Sequence, residues 1–253
     1  MVIIEAPDKY DNKTFHANFQ PEKETGNDVL YTSELAIGYD HPLSVVSLDL
    51  KRGEKLGILG GNGLGKSTFL KTIVGKIPAL SGEYRFGTNV QIGYFDQQMA
   101  MYTSNKTVLD DFWDEYPNLT ETEARNALGA FLFSGEDVFK NVNMLSGGEK
   151  VRLALCKILK TRPNVLVLDE PTNHMDIVGK ETLESMLKDY KGTLIFVSHD
   201  RYFVKKVATQ LLVFEDGTTN LYQLAMSSIR KSSIVRLRKA KMYTEAMRYL
   251  AVR

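Results

Sequence analysis

Apolar positions along the chain recur at two periods, and each period predicts its own kind of element. In KTFHANFQ, Phe15, Ala17 and Phe19 fall at every second position; after the loop-like cluster PEKETGND, VLYTSELAI resumes an extended pattern, so the two segments predict antiparallel strands. KLGILG reads as a short apolar strand ending in glycine. It is followed by KSTFLKTIVG, whose Phe69, Leu70, Ile73 and Val74 share one helical face. From about Thr107 to Phe139 two further helices are predicted, around VLDDFWDEY and TETEARNALGAFLF. Thr120 stands before acids in the first turn of the second, as a helix start requires. Val151, Leu155, Ile158 and Leu159 repeat at helical spacing in KVRLALCKILK. NVLVLD and TLIFVS, by contrast, are continuous apolar runs of the kind buried on both faces of a parallel sheet. The pattern as a whole predicts an α/β fold with a helical insertion between two strand-rich parts.

Composition narrows the class. At 253 residues and 43% hydrophobic content, the chain holds enough apolar material for one substantial core, with or without an attached subdomain. The single cysteine, Cys156, excludes an internal disulfide framework and a thiolate-rich metal site, and reads most simply as a small core residue. No run of about eighteen apolar residues occurs, and MVIIEAPDKYD lacks the basic start and apolar centre of a secretion signal. A cytoplasmic location without direct membrane insertion is the expectation. The total charge of +1 hides an asymmetry: Arg230 to Arg253 carries eight basic residues against the single acid Glu245, a net +7, which leaves the remainder at −6. The acidic body gives no electrostatic sign of a nucleic-acid face. The basic tail is either an RNA-contacting extension or a solvated, disordered end or scar foreign to the domain, and its composition favours the second.

Chemistry concentrates in two places. Gly60-Gly-Asn-Gly-Leu-Gly65-Lys66-Ser67-Thr68 satisfies G-x-x-x-x-G-K-[ST] and lies between a predicted strand and a predicted helix, the context that pattern needs. Glycines let the backbone approach phosphates, and free N–H groups with the helix dipole stabilise the negative charge. The expected ATP-binding residues are therefore Gly60, Asn62, Gly63, Gly65, Lys66, Ser67 and Thr68, with Lys66 reaching the terminal phosphates and Ser67 on Mg2+. A glycine-rich turn without a ligand is the bland alternative. The second place, LDEPTNHMD at 168–176, admits a transition-metal cluster, a phosphoryl-transfer site or a polar turn. Beside a phosphate loop, Asp169 at the end of a buried apolar strand fits the Mg2+ carboxylate, and Glu170 fits the base that polarises water. Zinc would need a defined three- or four-ligand geometry that the proline turn after Glu170 makes hard to foresee.

Leu145-Ser-Gly-Gly-Glu149, together with the phosphate loop, VLVLDE and FVSHD, makes residues 29–222 resemble an ATP-binding cassette domain, a P-loop NTPase with an antiparallel β-subdomain and a helical subdomain. The resemblance implies that Ser146, Gly147, Gly148 and Glu149 form a signature acting in trans on ATP held by a companion cassette. It implies that Tyr39 stacks on adenine, with a core or sheet-edge tyrosine as the alternative. By the same resemblance Gln97 senses Mg2+ and the attacking water, with Gln98 leaving the choice open by one position. His199 is, on that footing, the switch histidine that aligns Glu170, unless it merely caps the DRYFVKK helix. His16 and His41 suggest no chemistry, and Phe112 and Trp113 suggest packing.

PTNHMD, SHDRYF and TETEARNALGAFLFSGEDVFK are similar to the ABC-F group, tandem-cassette ATPases without transmembrane domains, many of which act on the ribosome or confer antibiotic resistance. This similarity implies a division into a linker end and first β-subdomain strand at 1–28, the cassette at 29–222 with its helical subdomain at about 105–145, and the basic tail at 223–253. It also implies cofactors ATP and Mg2+, and as partners a companion cassette, in the same full-length chain or as a homodimer, and the ribosome with its RNA. Asn173, His174 and Asp176 then form a turn facing the opposite cassette. The chain departs from the group at Met175, where leucine is usual, at Gly61, where a larger residue is commoner, and in having one cassette, which resembles the second half. A transporter motor subunit and an ATP-dependent dimerisation module with little turnover are the alternative functions.

Overall fold

The computed structural model describes residues 19–224 and 247–251. Among the described residues, nine strands and six α-helices follow one another from β1 (Asp28–Gly38) to β9 (Thr218–Gln223). β1, β2 (Pro42–Lys51) and β4 (Ser81–Phe86) form an antiparallel sheet in the order β2-β1-β4. The larger sheet runs β5 (Ile92–Phe95), β6 (Val165–Asp169), β7 (Thr193–Val197), β3 (Lys55–Gly60), β8 (Gln210–Glu215), β9, parallel except for the last pairing.

The continuous apolar runs have the cause the sequence suggests. Every residue of β6 and β7 is buried, and successive side chains serve opposite faces. Val165, Val167, Ile195 and Val197 join Phe69 and Leu70 of α1 (Lys66–Ile73) and the β1–β2 residues Leu35, Ile37 and Val46 in one core. Leu166, Leu168, Leu194 and Phe196 join a second core on the other face, with Val151, Leu155 and Leu159 of α4 (Gly147–Lys160) and Phe203 of α6 (Arg201–Val207). Each fully buried Leu, Val or Phe contributes roughly 1.5–3 kcal/mol, so a polar substitution in either strand acts on a core whichever way it points. Cys156 is fully buried on α4, and burial raises its thiol pKa, as befits an inert core residue.

The helical insertion is shorter-stepped than the periodicity predicts. α2 (Val108–Trp113) stops before Tyr116, because Pro117 disfavours the helical conformation just ahead of it. α3 (Glu121–Gly129) opens with a full capping box between Thr120 and Glu123. It ends where Leu132 adopts φ 65° and the N–H groups of Phe131 and Phe133 both return to the Leu128 carbonyl at 2.9 and 3.1 Å. Phe131 and Phe133 are therefore core residues on a turn, not a helical face. The strand predicted over KTFHANFQ is corrected in its described part. Phe19 lies outside any strand and packs edge-on against Phe131 at 5.2 Å, while Phe15, His16 and Ala17 lie outside the described residues. Most of the basic tail, 225–246 and 252–253, also lies outside them. Residues 247–251 form a helical turn whose Tyr249 ring lies 5.7 Å from that of Tyr222.

Candidate nucleotide site

β3 delivers the chain to the phosphate loop at Gly60, whose φ of 148° and close approach to β8 require glycine: a Cβ there would lie 2.7 Å from the Phe214 carbonyl oxygen. Gly63 and Gly65 also have positive φ, 81° and 97°, and Gly65 is the N-cap of α1. The loop thus turns by backbone conformation, leaving its N–H groups for an anion. Ser44 braces it from β2 by donating to the Leu64 carbonyl at 2.8 Å. The Lys66 ammonium donates to the carbonyls of Gly60 and Gly61 at 3.1 and 2.8 Å. Burial draws the Lys66 pKa down, while the charges of Glu170 and Asp169 act against that fall.

Ser67 and Asp169, 102 residues apart, meet in a 2.9 Å hydrogen bond from the Ser67 hydroxyl to Asp169 Oδ1. β6 carries Asp169 to the sheet edge beside β7, and the partnership forms across the sheet's C-terminal end. Burial raises the Asp169 carboxyl, with the Ser67 hydroxyl opposing. A hydroxyl and a carboxylate side by side are the oxygen donors that Mg2+ takes, and the residues present fit that ion. Glu170 follows in a left-handed conformation, φ 52°, rare for a non-glycine residue and costing of order 1–3 kcal/mol. Its N–H bonds the Val197 carbonyl at 3.0 Å. Its Oε2 accepts the His199 backbone N–H at 3.1 Å, and Oε1 stands 3.2 Å from His199 Nε2 without hydrogen-bond alignment. Glu170 therefore keeps one buried oxygen open as an acceptor. Burial raises its pKa against the pull of His199. The helix after His199 is capped by Asp200, which accepts the Phe203 N–H at 3.0 Å, so the capping alternative for His199 is excluded.

The remaining predicted residues divide. Thr68 is buried on α1, whereas Asn62 is exposed on the loop. Gln97 and Gln98 are both exposed, at the start of a 3-10 turn over Gln97–Met101 that Asp96 caps. Asp96 itself adjoins Asp169 through the β5–β6 register, in which Phe95 pairs with Leu168. Burial pushes Asp96 up, but the Gln98 N–H and the Tyr94 hydroxyl outweigh it and hold its carboxyl below the ordinary range. Tyr39 is 61% exposed just beyond β1, which removes the core alternative.

Ser146 and Glu149 form a reciprocal capping box at the start of α4, so the Glu149 carboxylate is occupied within its own chain. No hydrogen bond or ion pair among the described residues joins Ser146–Glu149 to the phosphate loop, Asp169 or Glu170. Their neighbour is the 173–176 turn: a Cβ on Gly148 would stand 2.6 Å from the His174 carbonyl oxygen, and one on Gly147 3.3 Å from His174 Cβ. Asp176 faces away from a metal role, capping α5 (Ile177–Asp189) through the Gly179 N–H at 2.8 Å and lying 3.6 Å from Arg152. Asn173 and His174 are half-buried and exposed.

Three participants escaped sequence reasoning. Thr172 and Ser198 share a hydroxyl–hydroxyl bond of 3.0 Å that ties the turn after Glu170 to the end of β7; only their position beside Glu170 and His199 hinted at it. Tyr249 lines a cavity of about 310 Å3 together with Gly60, Gly61, Lys66 and His199, and no local signal announced that. Its hydroxyl bonds Glu215, and its carbonyl accepts from Arg201 at 2.6 Å.

Comparison with known proteins agrees with this geometry. The family model described as ABC transporter matches residues 43–173, just over half of the chain. A Bacillus subtilis protein carrying the name "Putative ATP-binding protein YdiF" is 51% identical over 80% of this chain and 32% of its own. ABC transporter F family member 5 of Arabidopsis thaliana is 38% identical over 87% of this chain and 32% of its own. The chain spans about a third of the length of these relatives. Among solved structures, a dimeric ATP-binding cassette in a post-hydrolysis state with ADP and phosphate is similar in fold. Its TM-score is 0.65 at 21% identity, over 78% of this chain and 99% of that one.

Proposed function

The chain belongs to the ABC transporter family, and from that premise we propose that it is the MgATP-binding and hydrolysing cassette of an ABC-F type protein, completed by a second cassette and acting on the ribosome. The observation that carries the hydrolytic part is the junction at the sheet edge, where the Ser67–Asp169 bond and the Glu170–His199 pair stand beside the phosphate loop. Lys66, with the amides of the loop and the start of α1, binds the phosphates, and Lys66 exchanges its Gly60 and Gly61 carbonyl bonds for phosphate oxygens. Ser67 and Asp169 would hold Mg2+, which when bound would supply positive charge to the phosphate oxygens. Glu170 accepts a proton from the water whose oxygen forms the new bond to the γ-phosphorus, as the bond from that phosphorus to the bridging oxygen breaks and ADP leaves. His199 holds the Glu170 carboxylate through its backbone N–H, and its exposed ring would be free to meet the γ-phosphate. Gln97, exposed where the chain leaves β5, would sense Mg2+ and the attacking water, and Tyr39 would offer its exposed ring to adenine.

Ser146–Glu149 at the start of α4 act on a second cassette's ATP; in support of this, Gly147 and Gly148 lie against the 173–176 turn of their own chain. Asn173, His174 and Asp176 face that second cassette, and the exposed Asp176 also orders the turn by capping α5. Among the described residues no helix is long and apolar enough to cross a membrane. The ribosomal assignment rests on PTNHMD and on the similarity to an F-family member. Its test is co-purification of a tagged Glu170→Gln chain from cells with ATP present. Ribosomes in the eluate support the reading, whereas a membrane protein in their place would establish the transporter alternative. ATPase rate against protein concentration tests the shared site: a fast, concentration-independent rate refutes it.

A further inference from the structure

A second cluster of buried charge lies away from the phosphate loop. Lys157 on α4, its side chain only 14% exposed, places its ammonium 2.7 Å from Asp111 and 2.5 Å from Glu115, both from the α2 region. Asp111 is 4% exposed, and its other oxygen accepts the Tyr102 hydroxyl at 2.8 Å. Tyr102 ends the 3-10 turn that Gln97 begins. Three elements therefore meet at one polar knot: the turn leaving β5 beside Asp169, the helical insertion, and the helix whose first residues are the Ser146 signature.

Met99 and Ala100 of the turn pack against the core to which α4 contributes Val151, Leu155 and Leu159, and the polar groups add a second restraint on the spacing. A cavity of about 650 Å3 opens between the turn and α4, bounded by Gln98, Met99, Tyr102, Glu115 and Lys157. Beside that cavity the polar groups fix the register more narrowly than apolar contact does, because a buried carboxylate or ammonium deprived of its partner is costly and the pair has a narrow choice of geometry. α4 is a continuous 14-residue helix. Lys157 lies ten residues from its start, about 15 Å along the axis, so a shift at Lys157 is carried by a rigid rod to Ser146.

We propose that Tyr102, Asp111 and Lys157 form a clasp that couples the Gln97 turn to the signature end of α4, and that they are positioning residues for ATP hydrolysis. The proposal rests on the cassette reading above. When nucleotide moves the Gln97 turn, Tyr102 pulls on Asp111, and Lys157 moves α4 with it. Misplacing reacting groups by about 1 Å costs on the order of a hundredfold in rate, so a loosened clasp lowers turnover while leaving the chain's own phosphate loop able to bind.

Trp113, the chain's single tryptophan, follows Phe112 at the end of α2 and bonds the Leu119 carbonyl at 2.8 Å, so it reports on the insertion that the clasp holds. The test compares the wild-type chain with Tyr102→Phe and with the double variant Asp111→Leu/Lys157→Met, which removes both buried charges together. MgATP should change Trp113 emission in the wild type. In the double variant that change should be lost and kcat should fall at least tenfold, with KM and the affinity for a fluorescent ATP analogue within threefold; Tyr102→Phe should show a several-fold loss of kcat. A folded double variant with wild-type emission change and kcat overturns the clasp. So does a parallel loss of analogue binding, which marks a merely structural role. Should the double variant not fold, an unaltered Tyr102→Phe overturns it alone. A wild-type chain that neither binds nor hydrolyses MgATP overturns the cassette reading and the clasp together, a result separable from failure of the clasp alone.

Discussion

Replacing Glu170 by glutamine changes one charge and almost no shape, and the structure assigns its consequences in two observables. The glutamine keeps an acceptor for the His199 N–H now bound at 3.1 Å, so the strained φ of 52° and the local backbone persist. It cannot accept a proton from water. No other carboxylate can stand in, because Asp169 is engaged by Ser67 at 2.9 Å. General-base catalysis contributes about 10²–10⁴ in rate, roughly 3–6 kcal/mol at about 1.4 kcal/mol per decade. With the base buried and unreplaced, a loss of about 10³ is expected at unchanged MgATP affinity. Phosphate release under single-turnover conditions with excess protein measures it, and retained ATP in the stalled chain is the companion readout. The second observable is stability without nucleotide. Burial raises the Glu170 pKa above its ordinary 4.5, so over that interval the folded state binds more protons than the unfolded state. Stability contributed at this group therefore falls as pH rises through 4.5, and the deficit is complete above the raised folded value. Glutamine does not titrate, so the melting temperature of Glu170→Gln should exceed that of wild type by a margin that grows from acid toward neutral pH. Turnover within threefold of wild type would remove Glu170 from the base role, and a pH-independent margin would contradict the burial argument.

Lys66→Met should leave the melting temperature near that of wild type and weaken MgATP binding about 10- to 150-fold, the worth of roughly 1.5–3 kcal/mol for a charge-assisted hydrogen bond; titration calorimetry decides, and unchanged affinity refutes the assigned role. Gly148→Ala drives a Cβ to 2.6 Å from a backbone oxygen of the 173–176 turn, whereas Gly147→Ala meets only the His174 side chain at 3.3 Å. The first should cost about 1–3 kcal/mol and the second clearly less, so equal thermal shifts for the pair would count against the close approach. Asp176→Ala removes the N-cap of α5, with an expected loss of about 1 kcal/mol and faster hydrogen exchange at the Gly179 amide; unaltered exchange there would dismiss the cap.

Signals confined to a few neighbouring residues were legible in the chain alone. Gly60–Thr68 announces a phosphate loop because strand, turn and helix are consecutive, and VLVLD and TLIFV announce doubly buried strands because their apolar residues are adjacent. Legibility failed first where a short-range contact competes with the pattern around it. α3 ends early because Leu132 turns left-handed and Phe131 and Phe133 reach back to Leu128, although the apolar spacing through FLF continues to look helical. Glu149 reads as part of an ATP-facing signature, and the same carboxylate also closes a capping box with Ser146 that the signature reading passes over. Asp176 reads as one of a cluster of acids, yet it caps α5.

The sequence by itself determined the parallel sheet, the phosphate loop and the identities of the acids at its edge, since hydrophobic period and residue order act through the local backbone. Only the tertiary structure decided which of those acids touch: Asp169 with Ser67 across 102 positions, Glu170 with His199 across 29, and Lys157 with Asp111 and Tyr102. These contacts form because the sheet stacks strand ends from distant parts of the chain side by side. Their energies depend on burial and ångström-scale alignment, which no linear spacing records.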